Sequence, residues 1–356
     1  MSATLLAILM PLLILIFARA HAWAHNALAQ AFPIPAAILR SKGALHPIPY
    51  LYTLYVLYRV LTAPLRVLPD VLIVGAAKAG TTSIASYLAQ HPHVLTCPWK
   101  ESRIMVGMLG DGLAHRRWAY RAAFPTVFEV LYVRLRHGRW PCVFDCDPLH
   151  ALHAPFLAPR LHAIVPDAHV ILQLREPVAR LWSQYRMIAA HAGGNPELPT
   201  SFTVEEAVAL ERRLQVEHAD LWAALDGGGV APDAPLPPSF SRATFNSLYL
   251  RPGMYALALR AFRARFARVT VLKFDEMVGR EEAFCRGLYR LVGVDDAIAL
   301  GALEAVKPED EFQMVKRADN GRMSTVLDDA LAAELKAYFA PHNRELYELL
   351  GEDLGW

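Results

Sequence analysis

The sequence has few cysteines and almost no net charge, and both shortages exclude classes of function. Its 356 residues include four cysteines and no Cys-x-x-Cys pair, so neither a zinc site nor a thioredoxin-like site is expected. The formal net charge is only +2, which does not indicate a general polyanion binder, and no nucleic-acid partner is expected. Charged residues make up 20% and hydrophobic residues 54%, so the chain can bury a large core.

The N-terminus is apolar but lacks a long spanning run. The stretch from Leu5 to Ala18 is shorter than the ~20 residues that cross a bilayer comfortably. We interpret residues 1–20 as a signal-anchor or transmembrane segment. A cleaved signal peptide, indicated by the small residues Ala18 and Ala20, and a surface-lying helix are the alternatives. No Lys or Arg precedes the run, so the positions of the basic residues before it do not predict its orientation in a membrane.

Residues 21–68 are interpreted as a stem. Prolines interrupt its first part, at Pro33, Pro35, Pro47 and Pro49. An apolar stretch from Tyr50 to Leu65 contains four tyrosines, a density typical of a membrane–water interface. Two interpretations of this stretch stay open, a membrane-interface helix and a helix packed on the folded domain.

Strands and helices alternate from residue 69 onward. Short runs of β-branched and other apolar residues predict parallel strands at residues 71–74, 170–174 and 269–274. The first two lead through turns into helices at residues 83–90 and 178–188. This alternation predicts an α/β fold of three layers, P-loop-like, with a central parallel sheet flanked by helices and an added N-terminal membrane-seeking helix.

The folded domain is predicted to extend from residue 69 to residue 356. Residues 191–239 are interpreted as an insertion with glycine- and proline-rich ends. Its middle is a predicted helix, because Thr203 and Glu206 have the spacing of a capping box. Two further helices, at residues 327–339 and 343–349, are expected to close the chain.

The turn after the first strand is the most informative segment. It reads Gly75-Ala76-Ala77-Lys78-Ala79-Gly80-Thr81-Thr82-Ser83. A glycine turn between a strand and a helix presents backbone N–H groups and the helix dipole to a phosphate. This is not a Walker A loop, because Lys78 stands two residues before Gly80 and not directly after it. An ordinary strand-to-helix turn is the alternative interpretation.

A second anion site is predicted after the second strand. The segment runs from Leu174 to Tyr185 and contains Arg175 and Ser183. Arg175 leaves the carboxyl end of a strand, where α/β sheets bind ligands, and Ser183 lies two turns along the following helix. The two side chains could together bind a second phosphate. The alternative is a surface pair between Arg175 and Glu176.

Together the two segments resemble the sulfotransferases that use 3'-phosphoadenosine-5'-phosphosulfate (PAPS), especially the Golgi-type carbohydrate branch. In that family the first loop binds the 5'-phosphosulfate, and an Arg and a Ser in an LR[DE]PxxRxxSxY run bind the 3'-phosphate. The resemblance extends to residues 338–351. It implies PAPS as co-substrate, no metal, and a set of donor-binding residues made of Ala79, Gly80, Thr81, Thr82, Ser83, Arg175, Ser183, Gly321 and Arg322.

The same resemblance implies catalytic roles for Lys78 and Glu101. Lys78 would contact the bridging oxygen and the sulfuryl group. Glu101 falls where the family has Lys-Glu-x-His-Phe-Phe, whose Glu is the general base, although an ion pair with Lys100 or Arg103 is the alternative. The family His is Arg103 here. Where some members have a catalytic Lys in Glu-Lys-Ser-Pro, this chain has Asp145-Cys146-Asp147-Pro148, and Asp145 becomes a candidate acceptor-site residue or auxiliary base.

The expected function is sulfuryl transfer from PAPS to a hydroxyl, most simply that of a glycan. A lipid or small-molecule alcohol is the alternative acceptor, because the acceptor-side residues differ from the family pattern. By resemblance the chain is expected in the Golgi membrane, as a single-pass type II protein with a lumenal domain. Two other classes were weighed, a P-loop kinase or NTPase and a non-catalytic protein of the same fold.

Overall fold

The computed structural model describes residues 47–99, 101–108, 112–191, 202–226, 232, 248–301 and 327–356. The predicted anchor at residues 1–20, Lys100, and the predicted donor contacts Gly321 and Arg322 lie outside these residues. Within the described ranges, none of the helices combines the length and the apolar character that crossing a bilayer requires.

A parallel sheet forms the centre of the fold. Its strands in spatial order are β2-β3-β1-β4-β5, and every neighbouring pair is parallel. The strands are β1 (Val71–Gly75), β2 (Val94–Thr96), β3 (Cys142–Cys146), β4 (His169–Leu174) and β5 (Val269–Lys273). The predicted α/β architecture with a central parallel sheet is therefore confirmed.

Helices cover the sheet on both faces. In chain order they are α1 (Pro47–Leu61), α2 (Thr81–Ala89), α3 (Ile104–Gly107), α4 (Leu113–Ala122), α5 (Val127–His137), α6 (Leu149–Leu152), α7 (Ala154–Ile164), α8 (Pro177–His191), α9 (Val204–Glu217), α10 (Ala219–Asp226), α11 (Tyr255–Arg263), α12 (Phe274–Met277), α13 (Glu281–Leu291) and α14 (Asp329–Leu350). Side chains alternate along β1: Leu72 belongs to one buried cluster with Phe262 of α11, and Ile73 to another with Ile84 of α2.

The two closing helices of the prediction are one helix in the structure. α14 runs for 22 residues with Pro341 inside it. Proline removes one helical hydrogen bond, which is why the sequence suggested a break. Buried side chains on both sides of Pro341, including Leu335, Phe339 and Leu346, hold the helix against the domain. Their packing offsets the local cost and keeps the helix continuous.

The segment interpreted as an insertion packs on the domain through α9. The predicted capping box is confirmed, since Thr203 and Glu206 exchange side-chain and backbone hydrogen bonds. Val208 is buried in a cluster with residues of α8 and α14. The buried carboxylate of Glu211 accepts hydrogen bonds from the backbone N–H groups of Leu250 and Arg251, at 2.6 and 2.8 Å. α9 thereby fixes the chain that leads into α11.

Candidate active site

The first predicted anion loop joins β1 to α2 at the carboxyl edge of the sheet. Lys78 and Gly80 both have positive φ angles, +68° and +87°, and Gly80 is the residue that precedes the helix. The first N–H groups of a helix have no acceptor within it, so this turn presents donors at the N-terminus of α2. The backbone therefore forms the strand, turn and helix that the sequence predicts, and anion binding by this turn stays a prediction.

Gly80 is needed for packing as well as for its backbone angle. A Cβ atom at this position would lie 2.8 Å from Met277 Cε and 2.9 Å from Phe274 Cδ2, both in α12. The structure shows that protein side chains occupy that direction, so the residue lets α12 close against the loop.

The hydroxyls at the start of α2 differ in exposure. Thr81 and Ser83 are buried, each 4% exposed, whereas Thr82 is partly exposed. The partly exposed Lys78 has its Nζ 3.4 Å from Met187 Sδ of α8. Thr82 and Lys78 are thus the side chains of this loop that are most open to a ligand.

Arg175 joins the second motif to the first. Its Nη1 donates a hydrogen bond to the carbonyl oxygen of Lys78 at 3.0 Å. Its guanidinium lies 4.6 Å from the ring centre of Phe274, and its carbonyl accepts from Tyr255 Oη at 2.7 Å. Burial lowers the pKa of Arg175 from its usual value, though an arginine keeps its charge at neutral pH. Glu176 instead accepts from the backbone of α8, at Val178 N and Ala179 N.

Ser183 lies on α8, the helix that approaches Lys78. Residues four apart share a helix face, so Ser183 is on the same face as Met187, whose sulfur meets the Lys78 ammonium. Ser183 is partly exposed. The structure therefore brings Lys78, Arg175 and the Ser183 face of α8 to one end of the sheet.

Glu101 lies in the short connection between β2 and α3. Its carboxylate forms an ion pair with Arg103, 3.2 Å from Oε2 to Nη2, and the Glu101 side chain is 24% exposed. The backbone N–H of Arg103 donates to Asp147 Oδ2 at 2.8 Å. Asp147 follows β3, so this hydrogen bond ties the Glu101 segment to the carboxyl edge of the sheet.

Asp145 is enclosed. It is 1% exposed, and Tyr120 Oη donates to its Oδ2 at 2.7 Å. Burial raises the pKa of Asp145 to about 6, with the nearby Asp147 adding to the rise and His150 opposing it. Its other oxygen has no hydrogen-bond partner among the described residues. Asp145 is thus a buried carboxyl group two residues before Asp147, which binds the segment that contains Glu101.

A buried polar group beside Asp145 was not anticipated from the sequence. Asp147, His150 and His153 are all at most 3% exposed, and His150 Nε2 lies 3.7 Å from Asp147 Oδ2. Burial, with a contribution from His150, lowers the pKa of His153 to about 3, so this ring is neutral. The signal in the sequence is the regular spacing of Asp147, His150 and His153, three residues apart among apolar residues.

Phe274 and Gln173 were also missed. Phe274 was assigned to the end of a strand, but it begins α12 and contacts both Arg175 and the Gly80 position. Gln173, the polar residue in the apolar strand β4, accepts Ala76 N through its backbone carbonyl at 2.8 Å. Its side-chain amide is fully buried and has no hydrogen-bond partner among the described residues. A polar residue inside a buried strand was the available signal.

Comparisons with known proteins agree with this geometry. The family model described as "Sulfotransferase family" matches residues 69–230. Heparan sulfate glucosamine 3-O-sulfotransferase 6 of Mus musculus is 26% identical over 303 residues, which cover 82% of this chain and 74% of that protein. Residues 69–230 therefore resemble the sulfotransferase family. The resemblance to Golgi-type sulfotransferases is confirmed, and a sulfotransferase enzyme is indicated.

Other sulfotransferases match less of their own length or only the fold. Membrane-associated sulfotransferase kil1 of Dictyostelium discoideum is 28% identical over 141 residues, 40% of this chain and 27% of that protein. A crystal structure of a sulfotransferase from Alicyclobacillus acidocaldarius superposes with a TM-score of 0.52 at 22% identity. The superposition covers 81% of this chain and 98% of the Alicyclobacillus acidocaldarius chain, which supports the sulfotransferase fold.

Proposed function

We propose that this protein transfers a sulfuryl group from PAPS to an acceptor hydroxyl. The observation that carries the proposal is the hydrogen bond from Arg175 to the Lys78 carbonyl, which unites the two predicted phosphate-binding motifs at one edge of the sheet. A donor with phosphates at its 5' and 3' positions needs two anion sites that are fixed relative to each other. The hydrogen bond between Arg175 and the Lys78 carbonyl holds the two motifs in a fixed position relative to each other.

The described residues fit such a donor. The N–H groups at the start of α2 and the partly exposed Thr82 suit the 5'-phosphosulfate, and Arg175 with Ser183 suits the 3'-phosphate. Gly321 and Arg322, outside the described residues, are proposed to add contacts to the 3'-phosphate. When bound, PAPS supplies an activated sulfuryl group whose leaving group is adenosine 3',5'-bisphosphate.

The proposed reaction is an in-line displacement. The acceptor oxygen forms a bond to sulfur while the bond from sulfur to the 5'-phosphate oxygen breaks. Glu101 takes the proton of the acceptor hydroxyl, and Lys78 stabilises the negative charge that develops on the leaving oxygen. The Glu101 carboxylate also forms an ion pair with Arg103. No metal has a role in this scheme.

A glycan is the proposed acceptor class. The name of the Mus musculus relative, a heparan sulfate glucosamine 3-O-sulfotransferase, supports it. A lipid or small-molecule alcohol is the second candidate, because Arg103 and the stretch from Asp145 to Asp147 replace family residues on the acceptor side. The proposed location is the Golgi membrane, with residues 1–20 as the anchor and the domain in the lumen.

A transfer assay with isotopically labelled PAPS tests the proposal. Full-length protein is incubated with PAPS and separate panels of glycans, lipid alcohols and small alcohols, and both labelled product and adenosine 3',5'-bisphosphate are measured. We expect the two products in equal amounts with one of the panels. Binding of the bisphosphate without transfer to any panel would favour a non-catalytic protein.

ATP or GTP hydrolysis without PAPS binding would favour the kinase or NTPase class and refute the proposal. The sequence argues against that class, because Lys78 is not in the Walker A position.

A further inference from the structure

The described surface has an uneven distribution of apolar side chains. Thirteen of the fifteen large hydrophobic side chains that are exposed lie in two segments, residues 54–65 and 118–140. Isolated exposed hydrophobic residues are normal on a protein surface, whereas a concentration of them marks a binding surface. The remaining two, Val216 and Val278, lie on other elements.

The outward face of α5 is apolar. Phe128, Leu131, Tyr132 and Leu135 follow the spacing i, i+3, i+4 and i+7, which places them on one side of the helix. All four are exposed, and Leu135 is 84% exposed. The inner side packs on the domain through Val130 and Val133. A surface helix normally turns polar residues outward, so α5 is apolar on both sides.

The outward face of α1 has the same character. Leu54, Tyr58 and Leu61 are exposed at 53%, 53% and 68%, at positions that share a helix face. Val56 and Arg59 of the same helix are buried against the domain. The helix therefore packs on the folded domain with one side and exposes an apolar other side, whereas the membrane-interface interpretation stays a prediction.

Direct contacts join α1 to the chain that begins α5. Arg66 and Thr126 form an isolated antiparallel bridge. Arg66 Nη1 donates to the Phe124 carbonyl at 2.7 Å, and the Arg66 guanidinium lies 5.4 Å from the ring centre of Tyr58. Trp118 Nε1 of α4 donates to the carbonyl of α1 at residue 60, at 2.9 Å. We call the exposed hydrophobic side chains of residues 54–65 and 118–140 the apolar face.

Positive charge accompanies the apolar face. Residues 47–66 and 112–140 contain eight arginines and one acidic residue, Glu129. Three of the arginines are buried, and the other five, Arg117, Arg121, Arg134, Arg136 and Arg139, are exposed or partly exposed. The Glu129 carboxylate is engaged with the N–H and hydroxyl of Thr126. Arg136 is exposed and donates to Tyr132 Oη at 2.9 Å, and Arg134 lies over the Trp140 ring. Aromatic, aliphatic and basic side chains together are the composition of a helix that lies in a lipid headgroup region.

We propose that the apolar face docks onto the surface of an anionic lipid bilayer. The apolar side chains would enter the headgroup boundary, and the arginines would bind lipid phosphates and carboxylates. The chain outside the described residues favours this occupant over a second protein copy. Forty-six residues precede Pro47, they include the apolar stretch from Leu5 to Ala18, and they join the domain at the start of α1.

A fluorescent label on one introduced cysteine can distinguish docking of the apolar face from attachment to the membrane through residues 1–46 alone. The four native cysteines are free and buried, so a cysteine introduced on the surface reacts selectively. We would label Leu135→Cys on the apolar face and, as the matched control, Val216→Cys on α9, which is 80% exposed. The label is a fluorophore whose emission rises and shifts to the blue in an apolar environment. Full-length protein is measured with phosphatidylcholine vesicles, with and without phosphatidylserine.

We expect a several-fold rise and a blue shift for the label at position 135 with phosphatidylserine, and no change at position 216. Arg136→Gln combined with Arg139→Gln should weaken the response at position 135. Circular dichroism and the melting temperature of each labelled protein verify that it is folded. Unchanged emission at position 135, while the protein floats with the vesicles, would show that the domain is merely tethered and would overturn the proposal.

Two other results would also overturn it. Equal responses with and without phosphatidylserine would remove the role of the arginines. A lipid-independent response at position 135 that grows with protein concentration, together with dimers in analytical ultracentrifugation, would assign the apolar face to a second copy of this chain.

Discussion

Arg175 donates a hydrogen bond to the carbonyl oxygen of Lys78, at 3.0 Å, across the carboxyl edge of the sheet. The donor residue follows β4 and the acceptor follows β1, and these strands are neighbours in the sheet. The guanidinium also rests against the Phe274 ring, which packs at the Gly80 position. One arginine therefore fixes the loop of the first anion motif while retaining other N–H groups for a ligand.

Arg175→Ala should weaken the binding of adenosine 3',5'-bisphosphate by about 10-fold or more, because a charge-assisted contact is worth roughly 1.5–3 kcal/mol. Isothermal titration calorimetry measures the affinity. Arg265→Ala, an exposed arginine between α11 and β5, is the matched control and should bind normally. Unchanged affinity in Arg175→Ala would mean that the 3'-phosphate binds elsewhere.

Lys78→Ala should reduce sulfuryl transfer by roughly 10²–10³-fold, since it removes the cation proposed to stabilise the leaving oxygen. The melting temperature should hardly change, because Lys78 is partly exposed. Initial rates at saturating PAPS test this, with the exposed Lys336→Ala as control. Near-normal turnover in Lys78→Ala would exclude the assigned role.

Glu101→Gln should lower kcat by roughly 10²–10⁴-fold with little change in donor affinity, because a general base acts in the transition state. The exposed Glu205→Gln serves as a control for loss of a surface carboxylate. The ion-pair interpretation predicts near-normal turnover and a loss of only ~0–1 kcal/mol in stability. If Glu101→Gln is active and Asp145→Asn is inactive, the base belongs to the Asp145-Cys146-Asp147 segment at the end of β3.

Asp147→Ala should lower kcat by roughly 10- to 100-fold, because it removes the acceptor that positions Arg103 and the neighbouring Glu101. Asp147→Asn keeps a side-chain oxygen and should recover most of the activity. Affinity for adenosine 3',5'-bisphosphate should be unchanged in both variants. A purely structural role would instead lower the melting temperature and the active fraction, with normal kcat for the folded enzyme.

Asp145 should make stability depend on pH. Its folded pKa of about 6 lies above the ordinary 3.8, so the folded state holds this proton more tightly than the unfolded chain. The resulting stabilisation is fully present below pH 3.8 and is lost as pH rises to about 6. The loss is on the order of 3 kcal/mol, from about two pKa units at roughly 1.4 kcal/mol each.

Asp145→Asn should remove this part of the pH dependence, since an amide does not ionise and its oxygen can still accept from Tyr120. Urea denaturation of both proteins between pH 4.5 and 7.5 measures the difference in their free energies of unfolding. Parallel curves for Asp145→Asn and the original protein would show that burial does not perturb this carboxyl group.

The sequence predicts the strands that are longest or most apolar and misses the other two. β1 is apolar throughout, and β4 and β5 are mostly apolar although they contain Gln173 and Thr270, whereas β2 is three residues long and β3 contains Asp145. The closing helix was divided at Pro341, because proline is a local signal and the packing that overrides it is not local.

The anion-binding loop, its Lys78 and the Arg175 motif are determined by the sequence itself, since a glycine turn between a strand and a helix is local chemistry. Tertiary structure alone decided that Arg175 binds the loop, that Asp147 holds Arg103, and that Arg66, after α1, pairs with Thr126, before α5. The physical reason is distance along the chain. These pairs are 97, 44 and 60 residues apart along the chain, and only the folded arrangement of the elements brings them together.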